Sequence, residues 1–73
     1  MDAETKKEDM ERLGQIYFNL YLAAATNYKP DQAFIYNQKQ MEINIQLFGE
    51  DSVEVSNNYY LMAQLSIKKG DIP

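Results

Sequence analysis

Apolar residues recur at steps of three and four along most of this chain, as the buried face of an amphipathic helix requires. The pattern predicts three helices, near residues 10–27, 31–48 and 53–69. The apolar stripe of the first helix comprises Leu13, Ile16, Tyr17, Leu20, Tyr21, Ala24 and Ala25. The stripe of the third comprises Val55, Tyr59, Met62, Ala63 and Ile67, and Leu65 broadens it. Large aromatic residues at helical spacing usually belong to a core, so we expect Tyr17, Tyr21 and Tyr59 to be buried.

One stretch of the second helix is ambiguous, because the apolar residues between positions 41 and 47 alternate with polar ones, as they do in a β-strand. We assign this stretch to the helix, since it continues a helix-favouring segment and ends in Phe48 and Gly49. Glycine at that position suits a left-handed helix cap.

Local breakers and caps separate the three helices. Pro30 cannot continue a helix and pushes Lys29 out of the α region, so residues 27–30 are expected to form a turn. Ser52 is the predicted N-cap of the third helix. Two lysines followed by Gly70 suit the C-terminal end of that helix, where cations oppose the negative pole of the helix dipole.

Composition narrows the possible chemistry. A chain of 73 residues is one small domain, and it buries only about 60% of the surface that its unfolded form exposes. Its 11 acidic and 7 basic residues give a net charge of −4, which argues against a nucleic-acid surface. The chain has no cysteine or histidine, so disulfides, thiolate nucleophiles, histidine bases and the usual zinc ligands are absent. We therefore expect no enzymatic activity, no cofactor and no metal site.

The hydropathy of the chain gives no sign of a membrane segment. No apolar run approaches the roughly 18 residues needed to cross a bilayer, and the polar N-terminal segment lacks the apolar centre of a signal peptide. We expect a soluble, cytoplasmic protein with no membrane partner. Residues 1–12 carry charges of both signs and form a charged N-terminal extension, to which we assign no function.

Helices of similar length separated by turns call for a comparison of the chain with itself. An offset of 42 residues aligns Tyr17 with Tyr59, Leu20 with Met62, Tyr21 with Ala63, Tyr28 with Gly70 and Pro30 with Ile72. The first and third helices therefore occupy equivalent positions in a predicted repeat.

The residues from position 32 to position 72 add a pattern to this spacing. It consists of Ala33, Met41, Glu42, Ile43, Phe48, Gly49, Asp51, Glu54, Val55, Met62, Ala63, Gly70 and Asp71. This pattern resembles the 42-residue tetratricopeptide repeats of the kinesin-light-chain type, over about two thirds of the chain. Asn37 and Gln40 depart from the family, which has an aromatic residue and a small alanine there. The departure argues against close packing of the second helix.

The resemblance implies an all-α fold of the antiparallel helix-turn-helix (TPR-like) type. Residues 1–73 would form a single unit of about three helices, equal to one and a half repeats and thus a fragment of an α-solenoid. Such units bury their apolar faces by stacking, and about three repeats are normally needed for stability.

The helix A pattern of the family also implies a concave face that binds a partner. It maps to Gln15, Phe18, Asn19, Leu22 and Thr26 in the first helix, and to Asn57, Tyr60, Leu61, Gln64 and Lys68 in the third. Each set follows helical spacing, so the amides can bond a peptide backbone while Phe18 and Tyr60 pack on its side chains. The alternative is an ordinary solvated face with two exposed aromatic residues.

The function expected from these observations is a non-enzymatic protein-protein interaction or scaffold module with a protein or peptide partner. Two alternatives stay open. One is a self-assembling helical element that forms a homo-oligomer through exposed helix faces. The other is the helical tail of a larger enzyme, because similar repeats are appended to methyltransferases of the MYND and SET types.

Overall fold

The computed structural model describes the backbone of residues 3–69 and the side chains of residues 5–67. Three helices make up this part of the chain: α1 (Ala3–Thr26), α2 (Pro30–Phe48) and α3 (Val53–Lys69). The described residues contain no strand, so the predicted all-α class and the helical assignment of residues 41–48 are confirmed. The first helix begins well before the predicted start near residue 10 and includes much of the charged extension.

The turn between α1 and α2 is a Schellman motif. The backbone N–H of Tyr28 donates to the carbonyl of Ala25 at 3.3 Å, and that of Lys29 donates to the carbonyl of Ala24 at 2.9 Å. Tyr28 takes a φ of 58°, in the left-handed region that glycine usually occupies. Pro30 lies in α2 instead of in the turn, because it is the first helical residue and needs no N–H there.

The turn between α2 and α3 depends on Gly49 and Ser52. Gly49 has a φ of 93° and a ψ of 160°. The positive φ agrees with the prediction from the sequence, but the ψ places the backbone in an extended conformation and not in the predicted left-handed helical cap. A Cβ at this position would meet no atom within 4 Å, so backbone strain, and not a clash, favours glycine. The Ser52 hydroxyl accepts a hydrogen bond from the Val55 N–H at 3.2 Å, which confirms the predicted N-cap.

Helix α2 is the central element and packs against both neighbours. Tyr17 pairs with Tyr36 at a ring-centroid distance of 6.5 Å, while the earlier Gly14 lies against the later Ile43, so α1 and α2 are antiparallel. The buried core cluster consists of Tyr21, Ala24, Ala33 and Leu65. Its members come from all three helices.

The two apolar stripes predicted from the sequence are only partly buried. Tyr21 is buried and Tyr17 is half-buried, but Tyr59 is 59% exposed, so the core prediction is wrong for this tyrosine. Residues Leu13, Ile16, Leu20, Ala63 and Ile67 are exposed as well. Each stripe is wider than the single neighbour that packs on it, so one part is covered by α2 and the other part faces solvent.

Candidate functional site

The predicted partner-binding face of α1 is largely open. Gln15, Asn19, Leu22 and Thr26 are exposed. Phe18 is half-buried, because its ring stacks on Tyr21 at a centroid distance of 6.1 Å and packs against the core cluster. Phe18 therefore contributes to the core as well as to this surface.

The predicted face of α3 has the same division. Asn57, Tyr60 and Gln64 are exposed, whereas Leu61 is half-buried and packs against the core cluster. The side chain of Lys68 lies outside the described residues. Phe18 and Leu61 thus each connect one predicted face to the same core cluster.

Two hydrogen bonds order the polar side chains of these faces. The Gln15 side-chain amide donates to Asn19 Oδ1 at 3.3 Å, and the Gln64 side-chain amide donates to the Tyr60 hydroxyl at 3.1 Å. Both bonds join residues four apart on one helix, so they fix side-chain direction without joining the helices. Each face retains amide groups beside an apolar or aromatic side chain.

Titration and metal chemistry contribute little to this surface. Burial raises the pKa of the Tyr21 phenol, because the desolvated site disfavours the phenolate. In the part of the chain with described side chains, no group of three or more acidic, histidine or cysteine residues is arranged to hold a metal ion.

A buried group of amides joins α2 to α3, and it was not identified from the sequence. This amide cluster consists of Asn37, Gln40 and Asn44 on α2 and Asn58 on α3. The Asn37 amide donates to the main-chain carbonyl of Asn58 at 2.9 Å, and the Asn58 amide donates to Asn37 Oδ1 at 2.6 Å. The Asn58 amide also donates to Gln40 Oε1 at 2.9 Å, and Asn58 Oδ1 accepts from Asn44 at 2.8 Å.

The amide cluster corrects the expectation drawn from Asn37 and Gln40. Asn37 is only 1% exposed, so α2 packs closely here with hydrogen bonds in place of the aromatic contact that the family pattern has. The three α2 amides follow helical spacing along one face. This spacing indicates from the sequence alone that the three amides share one helix face. Their partner Asn58 lies on another helix and cannot be identified from the spacing.

Two surface depressions frame the predicted site. One, of about 290 Å³, is lined in part by Gln15 of α1 together with Gln40 and Asn44, so the outer edge of the amide cluster reaches the predicted surface. The other, of about 440 Å³, lies beside the first turn against Tyr28 and Leu65 and includes no predicted site residue.

No protein-family model matches this chain, and no curated protein or solved structure matches it either. Among the helices of the described residues, none combines the length and the hydropathy needed to span a bilayer.

Proposed function

We propose that this chain is a non-enzymatic interaction module of the tetratricopeptide-repeat type, whose stacked helices present a surface to a protein or peptide partner. The observation that carries the proposal is that α1 and α3, aligned at an offset of 42 residues, are covered on complementary faces. One helix, α2, covers both.

The face of α1 that packs on α2 corresponds to an open face of α3. On α1, Gly14 and Tyr21 are buried and Tyr17 is half-buried. Their equivalents 42 residues later are Ser56, Ala63 and Tyr59, and all three are exposed. In a stacked array, a second helix equivalent to α2 would cover this face of α3.

The reverse holds for the other face. On α3, Val55 and Asn58 are buried against α2 and Met62 is half-buried. Their equivalents on α1 are Leu13, Ile16 and Leu20, and all three are exposed. A preceding helix equivalent to α2 would cover them. Each end of the molecule therefore presents the apolar surface that a neighbouring repeat would bury.

The surface area of the whole chain agrees with this interpretation. It exposes 5346 Å², whereas a compact monomer of its mass exposes about 4,700 Å². The difference, about 650 Å², is of the same order as the area of about 800 Å² that one partner contributes to a standard protein interface. Dimensions of 47 × 25 × 13 Å describe the flat, elongated shape behind this excess.

The predicted partner-binding face belongs to the same proposal. Exposed amides on Gln15 and Asn57 can bond a peptide backbone, and Tyr60 offers a large ring at low entropic cost. The net charge of −4 favours a partner with basic residues and disfavours nucleic acid. A cytoplasmic location is part of this proposal.

The test is to add a second copy of α2 after α3. In the extended chain, a copy of residues 30–48 follows residue 71 directly, which preserves the 42-residue spacing. We expect the thermal unfolding midpoint to rise, by about 4–8 °C for each kcal/mol of added stability in a domain of this size. Burial of the open face of α3 is the physical reason.

The matched control carries the same added helix with glutamine at the copied positions of Ala33, Tyr36 and Ile43. This helix has the same length but lacks the side chains that α2 uses to pack against α1 and the core cluster, so the midpoint should stay near that of the original chain. An extended chain that melts no higher than its control would contradict the repeat proposal.

Self-assembly is the second candidate function, and the open faces of α1 and α3 favour it. The open face of α1 differs from the open face of α3, so copies that dock through them form a heterologous contact, which need not close. Sedimentation velocity across a concentration series separates the two functions. A sedimentation coefficient that rises with concentration supports self-assembly, and a constant monomer value excludes it.

A further inference from the structure

We propose that the amide cluster is a recognition code between helices. It admits onto α2 only a helix that carries asparagine at the position of Asn58, and it rejects the apolar open face of α1. The inference rests on the contacts between α2 and α3, and its comparison with α1 rests on the 42-residue equivalence of the repeat proposal.

The centre of the code is a reciprocal pair. Asn37 and Asn58 are each 1% exposed, and each donates to the other through its side-chain amide. The Asn37 amide reaches the main-chain carbonyl of Asn58, so this contact also fixes the position of the α3 backbone. A shorter side chain at position 37 could not make both bonds.

Gln40 and Asn44 complete the bonding of Asn58. Both amide hydrogens of Asn58 are donated, to Asn37 and Gln40, and its side-chain oxygen accepts from Asn44. Among the described side chains, no buried nitrogen or oxygen atom lacks a hydrogen-bond partner. The cluster is therefore satisfied in this register, which is the condition under which a buried polar network favours a single arrangement.

A shift of α3 along α2 would break these bonds. Sliding by one turn brings Val55 or Met62 to the place of Asn58, and neither side chain can donate to the side-chain oxygen of Asn37 as Asn58 does. Leaving one buried amide group without a partner lowers the population of such an arrangement by roughly 5- to 150-fold.

The same reasoning excludes α1 of a second copy. The residue equivalent to Asn58 on α1 is Ile16, at the centre of the open face formed by Leu13, Ile16 and Leu20. If that face replaced α3 on α2, Ile16 would meet Asn37 and leave the side-chain oxygen of Asn37 without the donor that Asn58 supplies. The apolar face of α1 would otherwise be a competitor for this site, so the amides act against mispairing.

Stability alone cannot distinguish this role from a purely structural one. Replacing a buried polar pair by apolar residues of similar volume is often neutral or stabilising, whereas removing one partner is destabilising. The test therefore measures two properties of the full chain: its stability, and whether α3 packs on α2 in a single arrangement.

The decisive variant is Asn37→Leu combined with Asn58→Leu, compared with each single substitution. We expect each single substitution to lower the urea midpoint and the double substitution to recover much of the loss. We also expect the double variant to lose its unique pairing. Its amide NMR spectrum should show more than one set of peaks, or its sedimentation coefficient should rise with concentration, while the original chain shows neither change at the same concentrations.

The control is Gln38→Leu combined with Gln46→Leu, which adds similar apolar area at exposed positions of α2. It should keep one set of peaks and the sedimentation behaviour of the original chain. If the control changes as much as the double variant, added hydrophobicity explains the effect and the code is refuted. A double variant with one set of peaks, the original register and unchanged sedimentation refutes it as well. If the leucine double variant does not fold, the double variant with valine at positions 37 and 58 is measured and interpreted by the same criteria.

Discussion

At the scale of single residues, Tyr28 occupies a conformation that a non-glycine residue adopts at a cost. Its φ is 58° and its side chain is 92% exposed, so burial of the ring does not offset the energetic cost of the left-handed backbone. The residue 42 positions later is Gly70, the type normally found at this place in a Schellman motif.

We expect Tyr28→Gly to stabilise the fold by about 1 kcal/mol, since an L-residue in the left-handed region costs roughly that amount. Urea unfolding followed by circular dichroism measures the change. Tyr60→Gly is the matched control, because Tyr60 is 63% exposed but helical, and glycine there should cost about 1 kcal/mol. A lower midpoint for Tyr28→Gly would indicate that the tyrosine ring makes a stabilising contact.

The residues whose roles follow from local chemistry were predictable from the sequence. Ser52 caps α3 through a bond to a residue three positions away, and Pro30 shapes the backbone of its neighbour. Asn37 was not predictable, because its partner lies 21 residues away on another helix. Its role depends on inter-helix register, and a polar residue on a predicted helix gives no sign of the amide that it will meet.

At the scale of elements, the start of α3 depends on a single hydroxyl. The Ser52 side chain satisfies the Val55 N–H, one of the backbone donors that a helix start leaves without an internal partner. The chain enters this helix from an exposed polar turn, and Val55 is the buried apolar residue of its first turn.

We expect Ser52→Ala to destabilise the fold by about 1 kcal/mol, because the bond to the helix start is lost. Ser56→Ala is the control: Ser56 is exposed within α3, and alanine has the higher helix propensity there. The control should be neutral or slightly more stable in the same urea titration. Equal effects of the two substitutions would show that the hydroxyl of Ser52 does not cap the helix.

The helix positions were predicted well, because apolar periodicity and helix-breaking residues are local properties of the sequence. The sequence did not predict which face of each helix is covered by a neighbour. Periodicity marks Leu20 and Tyr21 alike as apolar, and only the placement of α2 decides that Tyr21 is buried while Leu20 is exposed. The same holds on α3 for Leu65 and Ile67. The number and placement of neighbouring helices decide which apolar residues form the core. A single sequence does not reveal how many neighbours each helix has.

At the scale of the whole molecule, the central claim is that α3 presents a face prepared for a further helix. The 42-residue offset makes this claim specific to individual side chains. Tyr59 is equivalent to Tyr17, which packs against Tyr36 of α2, whereas Tyr60 is equivalent to Phe18 on the predicted partner-binding face. Both α3 tyrosines are exposed in the present chain, so an added helix should distinguish them.

The most direct measurement is the solvent accessibility of these two rings in the chain extended by residues 30–48, read by NMR with a soluble paramagnetic probe. We expect the ring signals of Tyr59 to become protected to the degree seen for Tyr17, because the added helix covers that face. Tyr60 should remain as accessible as in the original chain. Protection of Tyr60 in place of Tyr59, or unchanged accessibility of both rings, would contradict the proposed stacking.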